Sequence, residues 1–142
     1  MPTGNRARDR LLRARFLHES GSAVAEFVMV SALLTVLTLS VLQLGFALHI
    51  RNTVLDAAAE GARYGALADN ELGDGVVRTR DLILSALGPG YARDVTIARG
   101  MYRGYPAATV TVRTPLPLFG LVGIDSGLEV TGHAAIETLG QR

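Results

Sequence analysis

Hydrophobic and polar positions change rhythm three times along this chain. From Phe27 to Leu48 apolar residues run almost unbroken, and these 22 positions carry no charge. Only Gln43 is strongly polar, while Ser31, Thr35, Thr38 and Ser40 can return their hydroxyls to helix carbonyls. At about 1.5 Å per residue the run covers about 33 Å as a helix, enough to cross a hydrocarbon core of about 30 Å. The apolar region of a cleavable signal peptide is shorter, roughly 7–15 residues. The run therefore predicts a lasting membrane span over residues 27–48.

Past the span, "IRNTVLDAAAEGARYGALAD" contains no Pro and is dominated by good helix formers, so the helix is expected to continue through residue 68. Ala57, Gly61 and Gly65 recur every four residues, as do Ala58, Ala62 and Ala66. Ridges of small residues let helix backbones approach closely. This packing face has two readings: it meets neighbouring subunits, or it meets the chain's own domain. "ELGDGVVRTRDLILSALGPG" reads as a second, shorter helix. Asp74 is its expected N-cap, and Val76, Ile83 and Leu87 form a stripe with Val77 and Leu84 beside it. Gly88-Pro89-Gly90 supplies the stop.

After that stop the period falls from 3.6 to 2. Val95 and Ile97 alternate with Thr96 and Ala98, and Val110 and Val112 with Thr109, Thr111 and Arg113. Leu128, Val130, Gly132, Ala134 and Ile136 alternate with Glu129, Thr131, His133, Ala135 and Glu137. Three strands follow, near 93–99, 107–114 and 127–138, each with one apolar and one polar face. "RGMYRGYP" is a hairpin connection. "TPLPLFGLVGIDSG" reads as a Pro/Gly-broken loop, yet it carries Leu116, Leu118, Phe119, Leu121, Val122 and Ile124. Such a loop must cover the sheet's edge or core, or else contact lipid or another subunit.

The fold class is α+β: a long N-terminal transmembrane helix, a second short helix and a three-stranded antiparallel sheet. The expected divisions are a basic cytoplasmic leader over 1–21, a long helix over 22–68, and a small exported α+β domain over 69–142.

Charge orients this plan. Residues 1–21 carry five Arg (Arg6, Arg8, Arg10, Arg13, Arg15) against Asp9 and Glu19, a balance of +3, while the remainder carries nine Arg against eleven acids. By the positive-inside rule the N-terminus stays cytoplasmic and the C-terminal part is exported. The overall net charge of +1 gives no global basic field for nucleic acid. Without cysteine there is no disulfide framework and no thiolate metal site.

Catalytic patterns are missing from the sequence. His18, His49 and His133 are spread over the leader, the end of the span and a strand, with no metal-site spacing. There is no G-x-S-x-G elbow, and Gly61-x-x-x-Gly65 lacks the Lys-Ser/Thr of a phosphate loop. Asp69, Glu71 and Asp74 open a helix, where acids suit the dipole. The expectation is a non-enzymatic protein without metal or cofactor.

Glu26 is the conspicuous residue, a carboxylate at the entrance to a lipid-length run. If a peptidase at the cytoplasmic face cut after Gly21, the new chain would begin at Ser22. Its α-amine could pair with Glu26 within one subunit or between subunits, and two costly charges would become one pair. Alternatively, Glu26 simply sits at headgroup level.

"GSAVAEFVMVSALL" resembles a class III signal, the type IV prepilin pattern of basic leader, Gly, four residues, Glu, Phe and apolar helix. "RNTVLDAAAEGARYGALA" is similar to the stretch after the membrane helix in TadE-like proteins of tight-adherence (Flp-type) pilus systems. The tail "VTVRTPLPLFGLVGIDSGLEVTGHAAIETL" also looks like that family's. The resemblance implies a minor pseudopilin, matured by a prepilin peptidase, that works with a secretion-type ATPase machine building adhesive pili. Carried over by position, Gly21 and Ser22 flank the cleaved bond, Glu26 is the signal glutamate and Phe27 the aromatic beside it. Tyr often stands beside that glutamate in major pilins, so Phe fits a minor component. Membrane lipid, other pilin or pseudopilin subunits and the assembly machinery are the implied partners, and the cell inner membrane is the implied location.

Two rival readings remain. One is an unprocessed membrane-anchored binding domain, and the other a soluble product released after Ala59.

Overall fold

The computed structural model describes residues 5–118 and 122–137, with side chains over 21–116 and 127–137. The leader's arginine side chains, Phe119, Leu121 and Thr138 lie outside that description. The elements are α1 (Asn5–Ala66), α2 (Leu72–Leu87), a 3-10 turn at Pro89–Tyr91, β1 (Asp94–Tyr102), β2 (Tyr105–Leu118) and β3 (Val122–Ala135). The sheet is an antiparallel meander in the order β1-β2-β3. The α+β plan of long helix, short helix and three-stranded sheet is the one observed.

Contacts divide the chain into two compact units, one up to Leu42 and one from Gln43 onward. The core of the second unit thus begins on the N-terminal side of residue 68. The reason is hydrophobic: Ile50, Val54, Ala57, Ala58 and Ala62 of α1 are buried in one cluster with Ile83 of α2 and with Val95, Val110, Val112, Leu128 and Val130 of the sheet. The last turns of α1 thus supply core to the second unit and are not a stalk beneath it. The helix also begins at Asn5, inside the leader.

In the first unit, no side chain in the most apolar window of α1 is buried, and that window's mean hydropathy is 2.2. A helix this long and apolar is able to cross a membrane. Thr35, Thr38 and Ser40 donate their hydroxyls to the carbonyls of Ser31, Leu34 and Val36 at 2.8 Å, which satisfies them without water.

In the second unit, α2 starts earlier than the sequence suggests. Glu71 is the N-cap, with extended backbone, and Asp74 is the third helical residue, not the cap. Asp74 accepts the Glu71 backbone N–H at 2.9 Å, one half of a capping box. The buried face of α2 is Gly75, Thr79 and Ile83, whereas Val77 and Leu84 are exposed. The expected stripe of Val76, Ile83 and Leu87 does lie on the core, but the buried face extends from it toward Gly75 and Thr79 and not toward Val77 and Leu84. Gly75 sets this direction, because its missing side chain lets α2 close on Gly61 and Gly65 of α1. Gly88 ends the helix at φ +92, donating its N–H to the carbonyls of Ile83 and Leu84.

The first hairpin is tighter than the eight-residue loop expected. Only Arg103 (φ 51) and Gly104 (φ 88) turn, in the left-handed pair of a type I′ connection. The second connection differs more. β2 and β3 stay paired through Leu116↔Ile124 and Leu118↔Val122, with a register shift between Thr114 and Leu116. Most of the expected Pro/Leu loop is therefore a two-stranded arm that outruns β1, whose pairing ends at Asp94↔Arg113. On the sheet's polar face Arg113 donates from Nε to Glu129 at 2.8 Å and lies 3.7 Å from Asp94. The hydrogen bond to Glu129, then the charges of Glu129 and Asp94, push the guanidinium further above its ordinary range.

Candidate functional site

The residues singled out at the start of the apolar run lie on consecutive turns of α1. Gly21, Ser22, Glu26 and Phe27 are all helical and exposed. Ser22 and Glu26 are four residues apart, so they share one helix face. Phe27 is 72% exposed, on an apolar surface that also presents Val24, Val28, Met29, Val30 and Leu33. Among the described residues Glu26 has neither a hydrogen bond nor an ion pair. A bare carboxylate beside an uncovered apolar helix is costly in lipid unless a cation reaches it.

The peptide bond after Gly21 is also inside the helix, so a protease must open that turn to reach it. Nothing lies within 4 Å of where a Gly21 side chain would start. The glycine is not needed for packing there, and a mid-helix glycine weakens the turn by about 1 kcal/mol relative to alanine. The local chemistry is thus a weakened helical turn, a carboxylate one turn further on, and a long apolar surface.

The small-residue ridges lie in the second unit and face inward. Ala57, Ala58, Ala62 and Ala66 are each at most 4% exposed, and Gly61 and Gly65 are buried as well. A side chain at Gly61 would strike the Thr79 hydroxyl and, at 2.6 Å, the Gly75 carbonyl; one at Gly65 would come within 3.0 Å of Ile97. Between the two readings of this face, the structure gives contact with the chain's own domain. Periodicity gave no hint of Gly132, which sits directly over the backbone of Ala58 and Ala59. On the strand it reads as one apolar position among others. The sequence signal was its size, the smallest on that alternating face.

The histidines stay apart. His49 is exposed on α1, while the His133 ring stacks on Tyr102 at 4.2 Å and meets the Thr109 hydroxyl at 3.1 Å through Nδ1. Among the described residues no cluster of three His, Cys, Asp or Glu is arranged to hold a metal ion.

The exposed N-terminal motif and the ridges behind it belong to one continuous stretch, and comparison with family models matches residues 21–63 to TadE-like protein. That stretch is similar to the TadE-like family. The match opens at Gly21 and closes within α1, so the TadE-like tail noted in the sequence lies beyond it. Searches of curated proteins and of solved structures return no match. A TadE-like domain suggests a part in Tad pilus assembly.

Proposed function

We propose that this protein is a minor pseudopilin of a Tad (Flp-type) pilus system, acting by assembly and not by catalysis. In this reading the helix spans the cell inner membrane once, with the leader cytoplasmic and the C-terminal unit exported. A prepilin peptidase cuts between Gly21 and Ser22, and the matured helix joins other pilin or pseudopilin subunits through lipid. The observation that carries the reading is the TadE-like match beginning at Gly21, on a helix whose most apolar window is unburied among the described residues. After cleavage the Ser22 amine becomes a cation at the head of the helix, where the dipole also favours the nearby Glu26 carboxylate. Helices in lipid gain little from hydrophobicity when they associate, so that charge pair would matter for assembly.

Gly21→Leu is expected to abolish processing while leaving the helix intact. An added Cβ has nothing within 4 Å among the described residues and leucine is a good helix former, so a loss of cleavage reports the peptidase and not misfolding. Gel mobility beside wild type checks it: a variant that still loses its 21-residue leader overturns the site. N-terminal sequencing of the mature protein also separates the rivals, since Ser22 supports the pseudopilin, Met1 or Pro2 an unprocessed membrane-anchored binding domain, and Glu60 a released one.

Glu26→Gln and Glu26→Ala are expected to insert normally, because removing a carboxylate only makes the run more apolar. Both are expected to fail in piliation even where they are cleaved. Membrane fractionation and counts of surface pili, in cells lacking the native copy, provide the readout. Normal piliation by Glu26→Ala would leave the carboxylate as a tolerated headgroup-level residue.

A further inference from the structure

We infer that the second unit binds a second copy of this chain head to tail: the β1–β2 hairpin of one copy seats in the groove between α1 and α2 of the next. This goes beyond the helix pairing in lipid proposed above. It rests on the membrane-span reading only for the parallel alignment of copies, and it needs neither cleavage nor a pilus.

Beyond the apolar run, the large apolar side chains that are exposed among the described residues fall into two groups. Tyr64, Leu67, Val77 and Leu84 belong to the two helices and the turn between them, and Met101, Tyr102 and Tyr105 to the hairpin. Clustered apolar side chains among charged ones mark contact sites, whereas single ones need no explanation.

The two groups carry opposite charge. Tyr64, Asp74, Val77, Arg78 and Asp81 line a groove of about 270 Å³ between α1 and α2. Further along the same seam, Asp56, Ala57, Glu60 and Leu82 line another of about 490 Å³. Arg63 and Arg78 both lean on Glu60, at 3.6 and 3.8 Å, which leaves Asp56, Asp74 and Asp81 without an ion pair among the described residues. The hairpin has the reverse balance. Arg99 and Arg103 have no ion pair among the described residues, and no acid occurs from Val95 to Ile124. The Arg103 guanidinium lies 5.5 Å from the centre of the Tyr102 ring, and that ring stacks on His133. The aromatic surface is thus held in place before a partner arrives, which lowers the ordering cost of binding. Tyr and Arg are also the residue types that anchor protein contacts most often.

Position completes the match. Val95 and Ile97 of β1 face the core, so by alternation Tyr102 and its register partner Tyr105 stand on the opposite, solvated side of the sheet. Val77 and Leu84 are exposed on α2, away from its buried face. The Ile136 N–H donates to the Pro106 carbonyl and the Glu137 N–H to the Ala66 carbonyl, so the base of the hairpin is level with Ala66. Tyr64 is about 3 Å from that level along the helix. Gly75 lies against Gly61 and Gly65, which brings Asp74 and Val77 close to the same level. Copies standing side by side with parallel α1 helices therefore present groove and hairpin at one height on opposite sides. Because the two patches differ, the contact repeats into rows or rings and does not close as a symmetric pair.

The chain has no cysteine, so single cysteines report contacts without background. Full-length, uncleaved Val77→Cys and Met101→Cys chains are reconstituted together in phosphatidylethanolamine–phosphatidylglycerol vesicles and treated with a short bismaleimide. The mixture is expected to give cross-linked dimers, either variant alone little, and a chain carrying both cysteines a ladder of larger species. Thr96→Cys, exposed towards the other end of β1, replaces Met101→Cys as the control for random collision. Adding Arg103→Asp to the Met101→Cys chain is expected to lower the dimer yield about fivefold, the scale of reversing one exposed charge contact. Aspartate tolerates the left-handed backbone at 103. Adding Asp81→Arg to the Val77→Cys chain is then expected to restore the yield. A mixed yield no higher than the Thr96 control overturns the proposal, and it does so even if another protein covers these patches in the cell. Self-cross-linking of either single variant to the extent of the mixture means a symmetric contact and also overturns it. A yield that ignores Arg103→Asp, or that Asp81→Arg does not restore, overturns docking of the hairpin in this groove. The chain is uncleaved and keeps Glu26, so the result is independent of processing at Gly21.

Discussion

A fragment of residues 69–142 is expected to lose the cooperative fold that residues 43–142 retain. The shorter piece has α2 and all three strands, and by its alternating pattern it resembles a complete small domain. It lacks Ile50 and Val54, both fully buried, and the Ala57, Ala58 and Ala62 surface on which the sheet rests. Burying one Ile or Val side chain contributes about 1.5–3 kcal/mol, so those two alone account for roughly 3–6 kcal/mol. Small domains have about 5–15 kcal/mol in total. The truncated sheet would also expose Val110, Val112 and Val130 to water. Thermal unfolding of both fragments by circular dichroism, in one mild detergent, checks this. A sharp transition in 69–142 close to that of 43–142 would show that α1 is dispensable to the core.

Gly132→Val is expected to be the most damaging single substitution in the second unit. Even its Cβ would lie 2.5 Å from the Ala58 carbonyl oxygen and from the Ala59 nitrogen, and backbone cannot rotate aside as a side chain can. Overpacking typically costs about 1–3 kcal/mol, and a clash between two backbones belongs at the top of that range or beyond. For a domain of this size, that is a fall in Tm of about 12 °C or more. Gly73→Ala is the control, since nothing lies within 4 Å of its added carbon; removing a glycine from α2 is expected to gain about 0.5–1 kcal/mol. A Gly132→Val protein that melts within a few degrees of wild type would mean that β3 can slide off α1 at little cost.

The sequence by itself determined what depends on local chemistry and period. An uncharged run of 22 residues can be little other than a helix of membrane length. The change from period 3.6 to 2 after Gly88-Pro89-Gly90 marks where helices give way to strands. The exposed Gly21–Phe27 motif was legible because its residues need no tertiary partner to be recognised.

Tertiary structure decided what depends on which surfaces meet. Small residues every fourth position describe a ridge but not its occupant, and only the packed unit shows α2 and β3 lying on it. Gly75 and Thr79 did not read as a contact face, because the pattern weighs apolar area, whereas this crossing is governed by how closely two backbones can approach. Where the second unit begins within α1 was hidden for the same reason: the helix is continuous there, and only burial by α2 and the sheet separates its core-forming turns from its bare ones. The Pro/Leu segment reads as a loop because proline breaks interior strands. It pairs here because β1's pairing stops at Asp94↔Arg113, so beyond Arg113 β2 has a strand partner on one side only, and an edge strand tolerates proline.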